Sequence, residues 1–219
     1  MILAVSATEM EMSALTDKLP DHMGWSTFVC GVGPVEAGIQ LSSLLARKAK
    51  LPDLIINFGI GGGYFVSSED TSVNILDVCL AKKEVLADFG IELEKRVESL
   101  EKNLTGPVSF EFEKQLVEKA SSCLTGQFNH VHQGTFLTVN CVSGTKERGE
   151  VLKRKWNGIC ENMEGAAAAR ASSLFQVPFL EVRVISNMVE DRNLSNWKIK
   201  EAVAKSGEVA ALIMKGLIK

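Results

Sequence analysis

The sequence has no CxxC pair, no HExxH and no other metal-ligand spacing, and its five cysteines (Cys30, Cys79, Cys123, Cys141 and Cys160) are scattered and odd in number. That pattern excludes a disulfide framework and argues against structural zinc, so no metal is expected. No apolar run approaches the roughly 18 residues of a membrane span, and the N-terminus lacks the basic start and cleavage site of an export signal. A cytoplasmic protein with no membrane partner is therefore expected. Lys and Arg form no run longer than the three of Lys153-Arg154-Lys155 and the net charge is −3, which argues against a nucleic-acid surface. A P-loop, a nucleophile elbow and a complete dinucleotide fingerprint are all missing, and no glycine loop follows the first strand. The remaining class of partner is a small molecule.

A length of 219 residues is enough for one sizeable core, and residues 1–219 are read as a single domain. Short β-branched runs alternate with stretches of helical spacing, which predicts an α/β fold around a largely buried sheet. Strands are expected at 2–7, 27–32, 54–58, 75–81, 135–138 and 178–186, and helices at 9–19, 34–48, 112–123, 147–155, 164–175 and 196–218. Thr8 is the expected N-cap of the first helix, and Pro34 the opening residue of the second. The third strand is expected to break at Gly59 and Gly61-Gly62-Gly63, and the charged segment 90–106 to form a solvated connection.

Glycines gather where strands end, and in a parallel sheet the carboxyl ends of strands are where ligands bind. Gly31-Val32-Gly33 and Gly59-Ile60-Gly61-Gly62-Gly63 are each read either as tight turns or as places where backbone approaches a ligand. Glu164 leads a helix of small residues, and Glu11 falls in the first turn of another. Taken singly, both are also accounted for by a carboxylate at the positive end of a helix dipole. Arg183 differs, because it interrupts a strand that otherwise reads as buried and so requires a carboxylate partner. His22, His130 and His132 lack triad or metal spacing and are read as surface or packing residues. Cys141 and Cys160 are read as small core residues.

Four segments together resemble the nucleoside phosphorylase and nucleosidase family, especially its methylthioadenosine/adenosylhomocysteine nucleosidases. They are Thr8 to Glu11, Gly31 to Ala37, Asn57 to Gly62, and Asn162-Met163-Glu164-Gly165 taken with Pro178 to Asn187. The resemblance implies a nucleoside phosphorylase-like α/β fold, with a central mixed β-sheet flanked by helices and no organic cofactor or metal. It also implies a purine nucleoside as substrate and a homo-oligomer of at least two chains. By the same resemblance Glu164 holds the ribose 2′- and 3′-hydroxyls, and Met163 packs on the sugar. Glu11 serves as base toward the attacking water, and Arg183 pairs with or orients Glu11. Gly59 and Gly61 belong to the substrate-binding turn.

The departures from the family pattern refine the expectation. Adenine-releasing nucleosidases carry Ser-Asp at the end of this strand, whereas Ser186 is followed here by Asn187. An amide donates a hydrogen bond to N7 while meeting a 6-oxo group, so hypoxanthine is the expected base. Phosphorylases place Arg before the glycine turn, where this chain has Asn57, and Ile60 stands where Ser or Thr is usual. Hydrolysis is therefore expected over phosphorolysis. The Ser-Asn ending resembles that of futalosine hydrolases in the alternative menaquinone route, which makes futalosine the expected substrate. Phe89 and Val142 are the candidates for lining a 5′-substituent pocket. Aminofutalosine or methylthioadenosine nucleosidase, inosine phosphorylase and an inactive nucleoside-binding protein are the alternatives.

Overall fold

The computed structural model describes residues 1–19, 24–65, 73–94, 96–101 and 103–218, and His22 lies outside them. In chain order the elements are β1 (Ile2–Ser6), α1 (Glu9–Thr16), β2 (Trp25–Val29), α2 (Pro34–Arg47), β3 (Leu54–Gly63) and β4 (Val78–Leu86). There follow β5 (Ile91–Leu93), β6 (Arg96–Glu98), β7 (Ser109–Glu111), α3 (Lys114–Leu124), β8 (Val131–Thr138) and α4 (Lys146–Trp156). The chain ends with β9 (Gly158–Asn162), α5 (Gly165–Leu174), β10 (Phe179–Met188), a 3-10 turn at Leu194–Asn196 and α6 (Ile199–Leu217). The result is an α/β fold with a mixed sheet flanked by helices. Among the described residues no helix is long and apolar enough to cross a membrane.

β3 organises the sheet. It runs parallel to β1 from Leu54 to Asn57 and to β10 along almost its whole length, and its last residues, Gly62 and Gly63, pair antiparallel with Glu161 and Cys160 of β9. β10 pairs with β4, β4 with β8 and β8 with β9, so these five strands close on themselves while β1 and β2 extend from one side. The glycines at 59–63 therefore do not break the strand, contrary to the sequence expectation. They allow it to be crowded: a Cβ on Gly61 would sit 2.9 Å from the Glu161 carbonyl oxygen, and one on Gly62 3.1 Å from Val189. Ring closure needs strands this close, and side chains there would hold them apart.

Helices cover both faces, which is why all five residues of β1 are buried. On one face Met12, Leu15, Val209 and Ile213 pack against Ile2, Ala4 and Phe58. On the other, Ala37, Leu41 and Leu45 of α2 meet Leu3, Val5 and Ile55, with α5 fitting closely through Ala168, Ala169 and Ala171. Thr8 caps α1 in a full capping box with Glu11, and Pro34 opens α2, both as expected. Segment 90–106 departs from expectation, since it contains the exposed hairpin of β5 and β6. Cys141 is also exposed rather than a core residue, whereas Cys160 is fully buried.

Candidate active site

The carboxyl ends of β1, β3 and β10 face one cavity of ≈ 240 Å³, which the end of β9 also lines. Glu11, Ile60, Gly61, Met163, Glu164, Arg183 and Asn187 all line it, although they span most of the chain. The exposed apolar side chains of Met10, Val32 and Val142 lie at its edge.

Glu11 is 4% exposed, and its carboxylate is held from three directions. Oε2 accepts from the Thr8 backbone N–H (3.1 Å) and from Thr8 Oγ1 (2.8 Å), while Oε1 accepts from the Ile60 N–H at 3.1 Å. The first-turn position that made Glu11 unremarkable as a helix residue is thus what orients it. Gly59 is not part of the cavity wall. It lies behind Glu11 and Arg183, where a Cβ would collide with Glu11 Oε1 and stand 2.9 Å from Arg183 Nη1. Gly59 was expected in the substrate-binding turn; its missing side chain makes room for the two charged ones.

Glu164 sits at the junction of β9 and α5 and makes no side-chain cap to its own helix. Asn162 performs that task, its Oδ1 accepting from the N–H groups of Glu164 (2.9 Å) and Gly165 (2.7 Å). The Glu164 carboxylate instead accepts from the Gly33 N–H at 3.0 Å, and its other oxygen lies 3.7 Å from Arg183 Nη1. Gly33 adopts φ 92°, a left-handed conformation that aims its N–H at the carboxylate. Burial pushes Glu164 up from the ordinary carboxylate range, against the pull of Arg183 and Gly33. Cys30 lies nearby; burial first and the Glu164 charge next push its thiol up to about 12, so it is neutral rather than nucleophilic.

Arg183 is fully buried, and its ion pairs are with Glu181 and Glu164 rather than Glu11. Glu181 precedes it by two residues on β10, so both side chains leave the same face of the strand. Glu181 Oε1 accepts from Arg183 Nε (2.9 Å) and Nη2 (2.8 Å), and Asn57 Nδ2 adds a bond at 3.3 Å. Glu84 lies against Glu181, both carboxyls reaching the point that a Cβ on Gly165 would occupy, and it accepts from Thr138 Oγ1 at 2.6 Å. Burial pushes both carboxyls up, and the Glu181 charge adds to the effect on Glu84. Arg183 favours the ionised form of Glu181, so Glu84 is the carboxyl of the pair whose protonated form folding favours more. A group that binds protons more tightly when folded makes stability fall as pH rises from its unfolded pKa, ~4.3, toward its folded one. Glu84→Gln keeps the shape and the donor but removes this titration. Its Tm should decline less steeply with rising pH than the parent's; parallel slopes in thermal melts would show that the pair holds no proton.

Asn187 is half-buried at the end of β10. Its Oδ1 accepts from Ser186 Oγ at 2.8 Å, and its Nδ2 donates to the Met188 carbonyl at 3.1 Å. Those two partners fix the amide orientation and, among the described residues, leave one N–H of Nδ2 uncommitted. Val142 lines the cavity and Phe89 does not. Asp88 ties that turn to the Asn140 N–H (2.9 Å) and to Arg148 (3.0 Å), which leaves Phe89 at the surface.

The sequence reading missed Glu161, Glu181, Glu84 and Trp197. Glu161 is 5% exposed and lines the cavity. Its Oε2 accepts from Tyr64 Oη (2.8 Å) and Ser143 Oγ (2.7 Å), and its Oε1 from the Ser143 N–H (2.8 Å). Burial pushes it up despite these donors. Trp197, just ahead of α6, is the aromatic side chain on the cavity wall. A signal for Glu181 existed, since an acid two residues from a buried arginine on one strand shares its face. Glu161 had none, because β9 was not recognisable as a strand.

A model of the phosphorylase superfamily matches residues 25–219. The chain is 33% identical over 202 residues to the futalosine hydrolase of Streptomyces coelicolor, covering 90% of this chain and 81% of that protein. It is 28% identical over 239 aligned positions to a 5′-methylthioadenosine/S-adenosylhomocysteine nucleosidase of Staphylococcus aureus, covering 97% and 99% respectively. Among solved structures it is similar to the corresponding nucleosidase from Neisseria meningitidis in complex with methylthio-immucillin-A. There the TM-score is 0.83 at 18% identity over 99% of each chain, a likeness of fold.

Proposed function

This chain belongs to the phosphorylase superfamily, and from that premise we propose that it hydrolyses the N-glycosidic bond of a purine nucleoside, futalosine, releasing hypoxanthine. The observation that carries the reading is the convergence of Glu11 and Glu164, both buried and both backbone-anchored, on one cavity with Asn187. Glycoside cleavage develops positive charge on the sugar, so fixed carboxylates around it stabilise the transition state more than the ground state. Glu164 holds the ribose hydroxyls against Met163, and Glu11 accepts a proton from the attacking water.

Hydrolysis rather than phosphorolysis is supported by the charges on the wall. Among the described residues lining the cavity, Glu11, Glu161 and Glu164 face a single cation, Arg183, which is already engaged by Glu181 and Glu164. A phosphate dianion would enter this environment without a free partner. Asn57, where phosphorylases carry arginine, is buried against Glu181 instead of lining the cavity.

The test is free-base release from futalosine, its 6-amino analogue, methylthioadenosine and inosine, each with and without phosphate. Futalosine should be cleaved best and phosphate should change nothing; dependence on phosphate would overturn the hydrolase reading. Preference for the 6-oxo over the 6-amino compound should exceed about tenfold, because a mismatched exocyclic group leaves a buried polar atom unpaired at ~1 to 3 kcal/mol. Asn187→Asp should move the kcat/KM ratio toward the 6-amino compound, since a carboxylate repels O6 and accepts from an amino group. An unchanged ratio would mean that Asn187 does not read the base.

A further inference from the structure

Two fully buried carboxyls, Glu181 and Glu84, do not line the cavity and have no role in the proposed chemistry. They lie inside the ring of strands, where Gly165 at the start of α5 leaves room for both. A buried carboxylate is costly unless a cation answers it, and for Glu181 that cation is Arg183. Glu181 Oε1 accepts from Arg183 Nε at 2.9 Å and from Nη2 at 2.8 Å, so one oxygen grips one edge of the guanidinium. Nη1 is the corner left over, and it faces the carboxylates of the cavity. It stands 3.7 Å from Glu164 Oε2, and a Cβ on Gly59 would collide with both Nη1 and Glu11 Oε1. Arg183 therefore joins the buried pair on one side to Glu164 and Glu11 on the other.

We propose that Glu181 is a positioning residue for the hydrolysis: it takes up the charge of Arg183 and aims Nη1, so that the arginine orients Glu164 without cancelling the negative field at the sugar. The proposal rests on the roles proposed for Glu164 and Glu11. A cation beside a developing sugar cation is unfavourable unless a further carboxylate balances it. Around Glu164 stand Arg183 and Glu181 from β10, Glu11 from α1, the Cys30 thiol after β2 and the Gly33 N–H ahead of α2. Burial pushes Glu164 up most, Arg183 pulls it down, and the charges of Glu11 and Glu181 push it up again. Around Glu181 stand Arg183, Asn57 from β3, Glu84 from β4 and the Cys160 thiol of β9, which burial pushes well up. Removing the Glu181 charge thus has a definite sign. Arg183 is left to Glu164 and Glu11, and the proton affinity of Glu164 falls.

The rival account makes Glu181 a brace of the sheet interior and nothing more. Glu181→Gln keeps the size and an acceptor oxygen and removes the charge, whereas Glu181→Asp keeps the charge but is one methylene too short for both bonds to Arg183. The measurement is the pH dependence of kcat and kcat/KM on the nucleoside that the parent cleaves fastest, with Tm alongside. In Glu181→Gln the plateau kcat should fall about tenfold or more with KM within a few-fold, while the acid limb moves to lower pH by about half a unit or more. In Glu181→Asp the acid limb should stay at the parent position. Lower activity combined with a wider acid range is not the signature of a loosened fold. An acid limb that Glu181→Gln leaves at the parent position, or that both variants move alike, makes Glu181 a brace and overturns the proposal. If Glu181→Gln does not fold, Glu181→Asp decides alone: its kcat should fall about threefold or more as the aim of Nη1 is lost, and a parent kcat overturns the proposal. Failure of the hydrolase reading is distinct, because the parent itself would then release no free base from any nucleoside without phosphate.

Discussion

Glu11→Gln is expected to lower kcat by about 100- to 10,000-fold, the range typical of a lost general base, while a hypoxanthine product still binds at close to parent affinity. The carboxylate has no freedom to do anything but face the cavity. Thr8 holds one oxygen twice and the Ile60 N–H holds the other, and Gly59 leaves the space in which it lies. A glutamine has a single acceptor oxygen, so it must give up either the bonds to Thr8 or the bond to Ile60. Part of the loss will therefore appear as a lower Tm, on the order of 1 kcal/mol of stability for a weakened cap. Kinetics with saturating substrate and calorimetric titration of the product separate the two effects. Loss of binding in step with loss of turnover would assign Glu11 to the architecture of the β1–α1 corner and remove it from the chemistry.

Glu164→Gln should lower kcat/KM by at least about 100-fold, equivalent to ~2.7 kcal/mol of transition-state stabilisation. The carboxylate is buried in the cavity wall, held by the Gly33 N–H and facing Arg183. On the proposed reading, neutralising it removes both the hold on the ribose hydroxyls and the field that favours a cationic sugar. Because burial raises this carboxyl, activity should also begin to fall on the acid side above the ordinary carboxylate range. Activity of a folded Glu164→Gln variant within a few-fold of the parent would leave Glu164 as an anchor for the turn at Gly33 and nothing more.

The fold class was legible because hydrophobic runs and caps are local. Ile2 to Ser6, Thr8 with Glu11, and Pro34 each declare themselves within a few residues, and the structure has each in the expected element. β7 and β9 were not legible. β7 is three residues long, and β9 is a strand only because β3 and β8 offer it partners on both sides. The glycines at 59–63 misled for the same reason: glycine in isolation predicts a turn, and only a neighbouring strand or charged side chain reveals that the absent Cβ is needed for packing.

The sequence by itself determined that this is an α/β chain of the phosphorylase superfamily, and it singled out Glu11, Glu164, Arg183 and Asn187. Each of those residues stands in a recognisable local setting: a capping box, a helix start, a cation in an apolar strand, a strand end. The tertiary structure decided which charges meet. Arg183 engages Glu181 and Glu164, Glu84 lies against Glu181, Gly33 reaches Glu164, and Glu161 and Asn187 come to either side of Gly62. Three of these five pairs are separated by 26 to 131 positions, and hydrogen bonding acts over about 3 Å. Spacing along the chain carries no information at that range, so only closure of the sheet could say which carboxylates line the cavity and which pair with the arginine.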